Sequence, residues 1–100
     1  MAAAHKVFVV AEVRAKKDFI EEVKRECIAL VEPSRVEQGC ITYHLHEATD
    51  ETGLFIFVES WESLEDLENH LESQHSYAFD EKTSEMLAEP ERITYLKRIV

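Results

Sequence analysis

The chain has 100 residues, enough for one domain (residues 1–100) and one modest core. It is 45% hydrophobic and 32% charged, with 21 acidic residues against 11 basic ones and a net charge of −10. This excludes disorder, collagen and fibre, and a polyanion such as nucleic acid or an anionic membrane surface would be repelled. Two glycines, Gly39 and Gly53, are too few for a phosphate-binding loop. Apolar runs such as Leu54–Val58 fall far short of the roughly 20 residues that span a bilayer. The start, Met1 to Lys6, lacks the charged and apolar regions of a signal peptide, and the expected location is the cytoplasm. Cys27 and Cys40 sit in no zinc or CxxC spacing, and Cys27 reads as a small buried hydrophobe.

The first segment, His5 to Arg14, rich in valine with Phe8, predicts a strand. From about Lys17 to Val31 the period becomes helical, with Ile20, Val23, Cys27, Leu30 and Val31 on one face, and Pro33 is expected to stop that helix. After a turn at Gly39, Cys40 to Glu47 alternates: Ile41, Tyr43 and Leu45 on one side, Thr42, His44 and His46 on the other. Ala48 to Gly53 is a turn by composition, and Leu54 to Trp61 completes a hairpin. Ser63 reads as an N-cap, with Asp66 in the capping-box place, for a short helix carrying Leu64, Leu67 and Leu71. A further helix is expected over roughly Ser76 to Leu87 with Phe79, Met86 and Leu87 as apolar points, then a last strand over Ile93 to Val100.

The order β-α-β-β-α-(α)-β predicts an α+β, ferredoxin-like antiparallel sheet with helices on one face. Leu54–Val58 is apolar on both faces, yet the helices can cover only one. A second copy of the chain is the simplest cover for the other, so a homodimer is expected.

The stretches Glu37-Gln38-Gly39-Cys40-Ile41-Thr42-Tyr43, Phe57-Val58-Glu59-Ser60-Trp61-Glu62-Ser63, Asn69-His70-Leu71 and His75 stand in this order along the chain. Together they resemble the antibiotic biosynthesis monooxygenase domain, a dimeric α+β barrel. The resemblance covers about Val7 to Leu87; Gln38 and Gln74 stand where that family often has proline. It implies a pocket between sheet and helices, and a monooxygenase that uses molecular oxygen on a quinol or polyphenol-like small aromatic without flavin, haem or metal. Other members isomerise small phosphorylated hydroxyketones, degrade haem, or have no known reaction, so a hydroxyketone isomerase and a non-enzymatic ligand-binding or stress-response module stay open. Haem is discounted, because the haem-degrading relatives place their ligand histidine downstream of the position of His70, where this chain has Asp80.

His70 lies at the edge of the Leu67–Leu71 stripe, where a neutral imidazole could take a proton from a phenol; with Glu59 it forms the expected catalytic pair. Glu59 and Trp61 share a strand face with Phe55 and Phe57, where a carboxylate among aromatics needs a partner. Tyr43, Trp61, His75, Phe57 and Phe79 are the expected substrate-binding residues. His44 and His46 lie on one strand face, and read as a solvated or dimer-facing pair rather than a metal site. The acidic residues Glu65, Glu68, Glu72, Asp80 and Glu81 read as a solvated helix surface.

Overall fold

A computed structural model of the protein describes residues 5–100. The expectation of a start without signal-peptide features falls mostly on residues 1–4, outside the described residues. Four strands and three α-helices follow one another as β1 (Val7–Arg14), α1 (Ile20–Arg35), β2 (Cys40–Glu47), β3 (Leu54–Trp61), α2 (Leu64–Leu71), α3 (Gln74–Thr83) and β4 (Arg92–Leu96), with a short 3-10 turn at Lys17–Phe19 leading into α1. The sheet order is β2-β3-β1-β4 and every neighbouring pair is antiparallel. This is the expected α+β, ferredoxin-like arrangement. None of the described helices is long and apolar enough to cross a membrane.

The two-residue period of the strands sorts the sheet into two faces. Val9, Ala11 and Val13 of β1 stand opposite Glu59, Phe57 and Phe55 of β3, and all six are buried beneath the helices. Helix α1 buries Val23, Cys27, Leu30 and Ser34, one residue per turn along one stripe. The Cys27 thiol is fully enclosed, and burial pushes its pKa up to about 12, so it is packing and not a reactive thiol. The opposite face carries Phe8, Val10, Ile56, Val58 and Leu96, joined in register across β4, β1 and β3, and Val58 is 41% exposed. His44 and His46 stand on this face beside Val58 and Ile56 and are exposed.

Local signals set most boundaries. The Ser63 Oγ accepts the Asp66 backbone N–H at 3.1 Å and donates to Asp66 Oδ2 at 3.0 Å, closing the expected cap on α2. Gly39 has φ +83, and a Cβ there would stand 2.6 Å from the Asp66 Cβ and closer still to its carboxylate. Gly39→Ala therefore combines left-handed strain with a clash against the α2 cap, and is expected to lower unfolding free energy by about 1–3 kcal/mol in denaturant titration.

Four boundaries differ from expectation. Helix α1 runs through Pro33 to Arg35. Proline's fixed φ suits a helix and costs one hydrogen bond. That loss is offset by a tertiary anchor beyond it, where Arg35 Nε donates to the Tyr43 carbonyl at 3.0 Å. Helix α3 starts at Gln74, because Ser73 caps it through the Ser76 N–H, and stops at Thr83. Met86 and Leu87 leave the helix to pair with the end of β1, the Met86 carbonyl accepting from Lys16 N at 2.8 Å and Leu87 bridging to Ala15. Strand β4 ends at Leu96, whose partner Phe8 lies one residue from the start of β1, so no ladder remains for residues 97–100.

Candidate functional site

Between the helix-covered sheet face and the helices lies a cavity of about 270 Å³. Val9, Ala11 and Phe57 from the strands, Leu67 from α2, Phe79 from α3 and Ile93 from β4 form its apolar wall. Tyr43, Glu59, His70, Ser76, Asp80 and Glu91 bring polar groups into it, and no lysine or arginine lines it.

Strand parity puts Glu59 on the buried face between Phe57 and Trp61. Its Oε1 accepts the Trp61 indole N–H at 3.0 Å. Burial raises the Glu59 carboxyl to about 7, the Trp61 bond pulls it part of the way back, and nearby Glu91 and Glu37 push it further up. Glu91, in the segment entering β4, is also raised to about 7, by burial and then by Asp80. Both acids therefore exchange protons near neutral pH. The Tyr43 phenol is pushed well above its ordinary value by burial and stays protonated as a donor.

His70 is 4% exposed at the end of α2. Its ring lies 4.7 Å from the Trp61 ring at 32° and 5.4 Å from the Tyr43 ring at 68°. Nδ1 is 2.7 Å from Glu37 Oε1, in the turn between α1 and β2. A carboxylate oxygen only accepts, so Nδ1 carries the proton and Nε2 keeps the lone pair. Burial lowers the His70 pKa, with Glu37 opposing, so the neutral ring is favoured. The same Glu37 oxygen also lies 2.7 Å from Nε2 of His75, in the first turn of α3.

Residues 6–82 match the family model described as "Antibiotic biosynthesis monooxygenase". The chain belongs to the antibiotic biosynthesis monooxygenase family. It is similar to "Uncharacterized protein sll1783" of Synechocystis sp., 33% identical over 91 residues, a match that covers 91% of this chain and 62% of that protein. Thus the chain spans less than two thirds of that relative's length. It is 32% identical over 80 residues to the Bacillus subtilis protein named "Putative monooxygenase YcnE", covering 80% of this chain and 84% of that one. The crystal structure of PA3566 from Pseudomonas aeruginosa superposes with a TM-score of 0.91 at 30% identity, covering all of both chains.

In this family member the structure brings His70, Glu59, Tyr43, Phe57 and Phe79 around one cavity. Two expected substrate contacts are displaced. Trp61 is fully buried and does not line the cavity; it stands behind, holding Glu59 and facing the His70 ring. His75 is turned away from the cavity toward Glu37 and borders a separate groove between α1 and α3. His70 shares the cavity with Glu59 and Tyr43, and its direct side-chain hydrogen bond goes to Glu37, with Tyr43 in ring contact. Asp80, expected on a solvated helix surface, lines the cavity. Glu37 and Glu91 were not singled out. Glu37 does stand in the stretch that carries the family resemblance, whereas Glu91 lies in a segment with no periodic signal.

Proposed function

We propose that the chain is a homodimeric monooxygenase that oxidises a small, uncharged quinol or polyphenol with molecular oxygen and without an organic cofactor. The observation that carries this is the His70–Glu37 hydrogen bond at 2.7 Å, behind an imidazole that lines a largely apolar cavity. Glu37 fixes the tautomer, and Nε2 takes the phenol proton. The electron-rich phenolate then reduces oxygen, and a carbon–oxygen bond forms at a ring carbon bearing hydrogen. Glu59 or Glu91, protonated about half the time near neutrality, supplies a proton as the O–O bond breaks. For a hydroquinone, one substrate and one O₂ give one hydroxyquinone and one water, with all four electrons drawn from the substrate. The cavity holds both reactants together away from bulk water.

A phosphorylated hydroxyketone fits poorly, because Glu59, Asp80 and Glu91 line the cavity and no lysine or arginine faces them. The convergence of Tyr43, Glu59 and His70 favours turnover over a passive binding module. Both cysteines are free thiols, which suits a cytoplasmic protein. Purified protein given a panel of hydroquinones and of phosphorylated hydroxyketones is expected to consume oxygen with the former and to leave the latter unchanged. Isomerised ketone with no oxygen uptake would overturn the assignment.

The homodimer is proposed from the open sheet face. Val58 sits centrally there between Val10 and His44 and is 41% exposed, with Phe8, Ile56 and Leu96 around it. Val58→Lys would bury a charge in such an interface, and is expected to convert a dimer to a monomer in sedimentation at micromolar concentration. A wild-type chain already monomeric there would contradict the dimer.

A further inference from the structure

We infer that Glu37, His70 and His75 form a binding site for one divalent first-row transition-metal ion, and that the ion, once bound, turns His70 into the wrong tautomer for proton abstraction. The three residues come from the α1–β2 turn, the end of α2 and the start of α3, and their donor atoms lie within 4.8 Å of one another. Two imidazoles and a carboxylate are a donor set suited to zinc and its neighbours.

The three donors already stand around one point. Glu37 Oε1 already lies 2.7 Å from both Nδ1 of His70 and Nε2 of His75. An ion about 2.1 Å from each donor in tetrahedral geometry needs donors about 3.4 Å apart, so the Glu37 oxygen moves out from each nitrogen by some tenths of an ångström, and the two nitrogens, within 4.8 Å of each other, settle to that same spacing. The His70 ring is held by Trp61 and Tyr43, while the His75 side chain is 26% exposed and opens a path from solvent. The remaining coordination positions would take water. A net charge of −10 favours the approach of a cation.

The ion would sit outside the cavity, since neither Glu37 nor His75 lines it. Its effect would pass through the ring. Without metal, Nδ1 carries the proton and Nε2 the lone pair. An ion binds Nδ1 through the electron pair freed when the Nδ1 proton leaves, and the neutral ring then carries its proton on Nε2. No net proton is released; His70 then faces the cavity as a donor. That this inhibits turnover rests on the reading of His70 as the base, whereas the binding and the tautomer change do not.

The test uses the chelator-treated full chain, titrated with zinc chloride by calorimetry, with imidazole ¹⁵N NMR of His70 alongside. One zinc per chain is expected, with His70 moving from the Nδ1–H to the Nε2–H form. Glu37→Gln and His75→Ala are each expected to weaken binding at least about 100-fold, since loss of even an outer partner of a metal ligand costs 10–100-fold. The pair His44→Gln and His46→Gln, on the open sheet face, should leave it unchanged. Absence of stoichiometric binding, binding untouched by Glu37→Gln and His75→Ala, or His70 keeping Nδ1–H with zinc bound would overturn the site. Neither readout uses a substrate, so stoichiometric zinc binding by a chain whose metal-free form consumes no oxygen would uphold this site and remove the oxygenase reading.

Discussion

His70→Ala is expected to lower oxygen uptake with a hydroquinone by about 10²–10⁴-fold, the usual range for loss of a positioned general base. The imidazole is the one cavity group that combines a neutral, lowered-pKa base with a carboxylate fixing its tautomer. In the proposed reaction Glu59 and Glu91, both near 7, act as acids rather than as replacements for it. Truncation leaves a small void beside Trp61 and Tyr43, costing about 1–3 kcal/mol of stability, and circular dichroism should still report a folded chain. His70→Gln, which fills more of the space but cannot act as a base near neutral pH, should be as inactive as the alanine variant. Turnover within a few fold of wild type in either folded variant would remove His70 from the chemistry.

The second large effect concerns stability against pH. Glu59 is 5% exposed and its carboxyl is raised from the ordinary 4.5 to about 7. Between those two values the folded chain binds more protons than the unfolded one, so stability falls as pH rises. The contribution of the neutral acid is fully present below about 4.5 and is lost as pH climbs through about 7. At about 1.4 kcal/mol per unit, the swing reaches up to about 3 kcal/mol. Glu59→Gln keeps an acceptor for the Trp61 N–H and removes the titration. In denaturant titrations at fixed protein concentration, the variant should be about 1–3 kcal/mol more stable than wild type at pH 8 and close to it at pH 4. Equal differences at both pH values would show that Glu59 is not held protonated by the fold. The same substitution should reduce turnover, because the amide cannot release a proton to the departing oxygen.

What could be read along the chain is what local physics decides. The valine-rich run of β1, the Ser63 cap and the stripe Leu67–Leu71 each depend on near neighbours, and each matches the structure. His70 was placed correctly beside that stripe for the same reason. Parity also showed that Glu59 shares a face with Phe57, but not which face the helices cover, since both sides of β3 are apolar near Val58. The pairing of Glu37 with His70 joins residues 33 apart through the packing of a turn against α2, which no local period encodes. Glu91 reaches the cavity because the segment before β4 runs along it, again a tertiary matter. Pro33 and the early end of α3 are boundary cases where the Arg35 bond to the Tyr43 carbonyl, and the Met86 pairing with the end of β1, overrode local preference.

Incubation of cofactor-free, chelator-treated protein with a hydroquinone under ¹⁸O₂ joins these chemical claims in one experiment. One ¹⁸O atom in each hydroxyquinone formed, with the other recovered as water, is the expected result, and His70→Ala should abolish it. Hydrogen peroxide as the sole reduced product, or a quinone without isotope, would contradict oxygen insertion at this cavity.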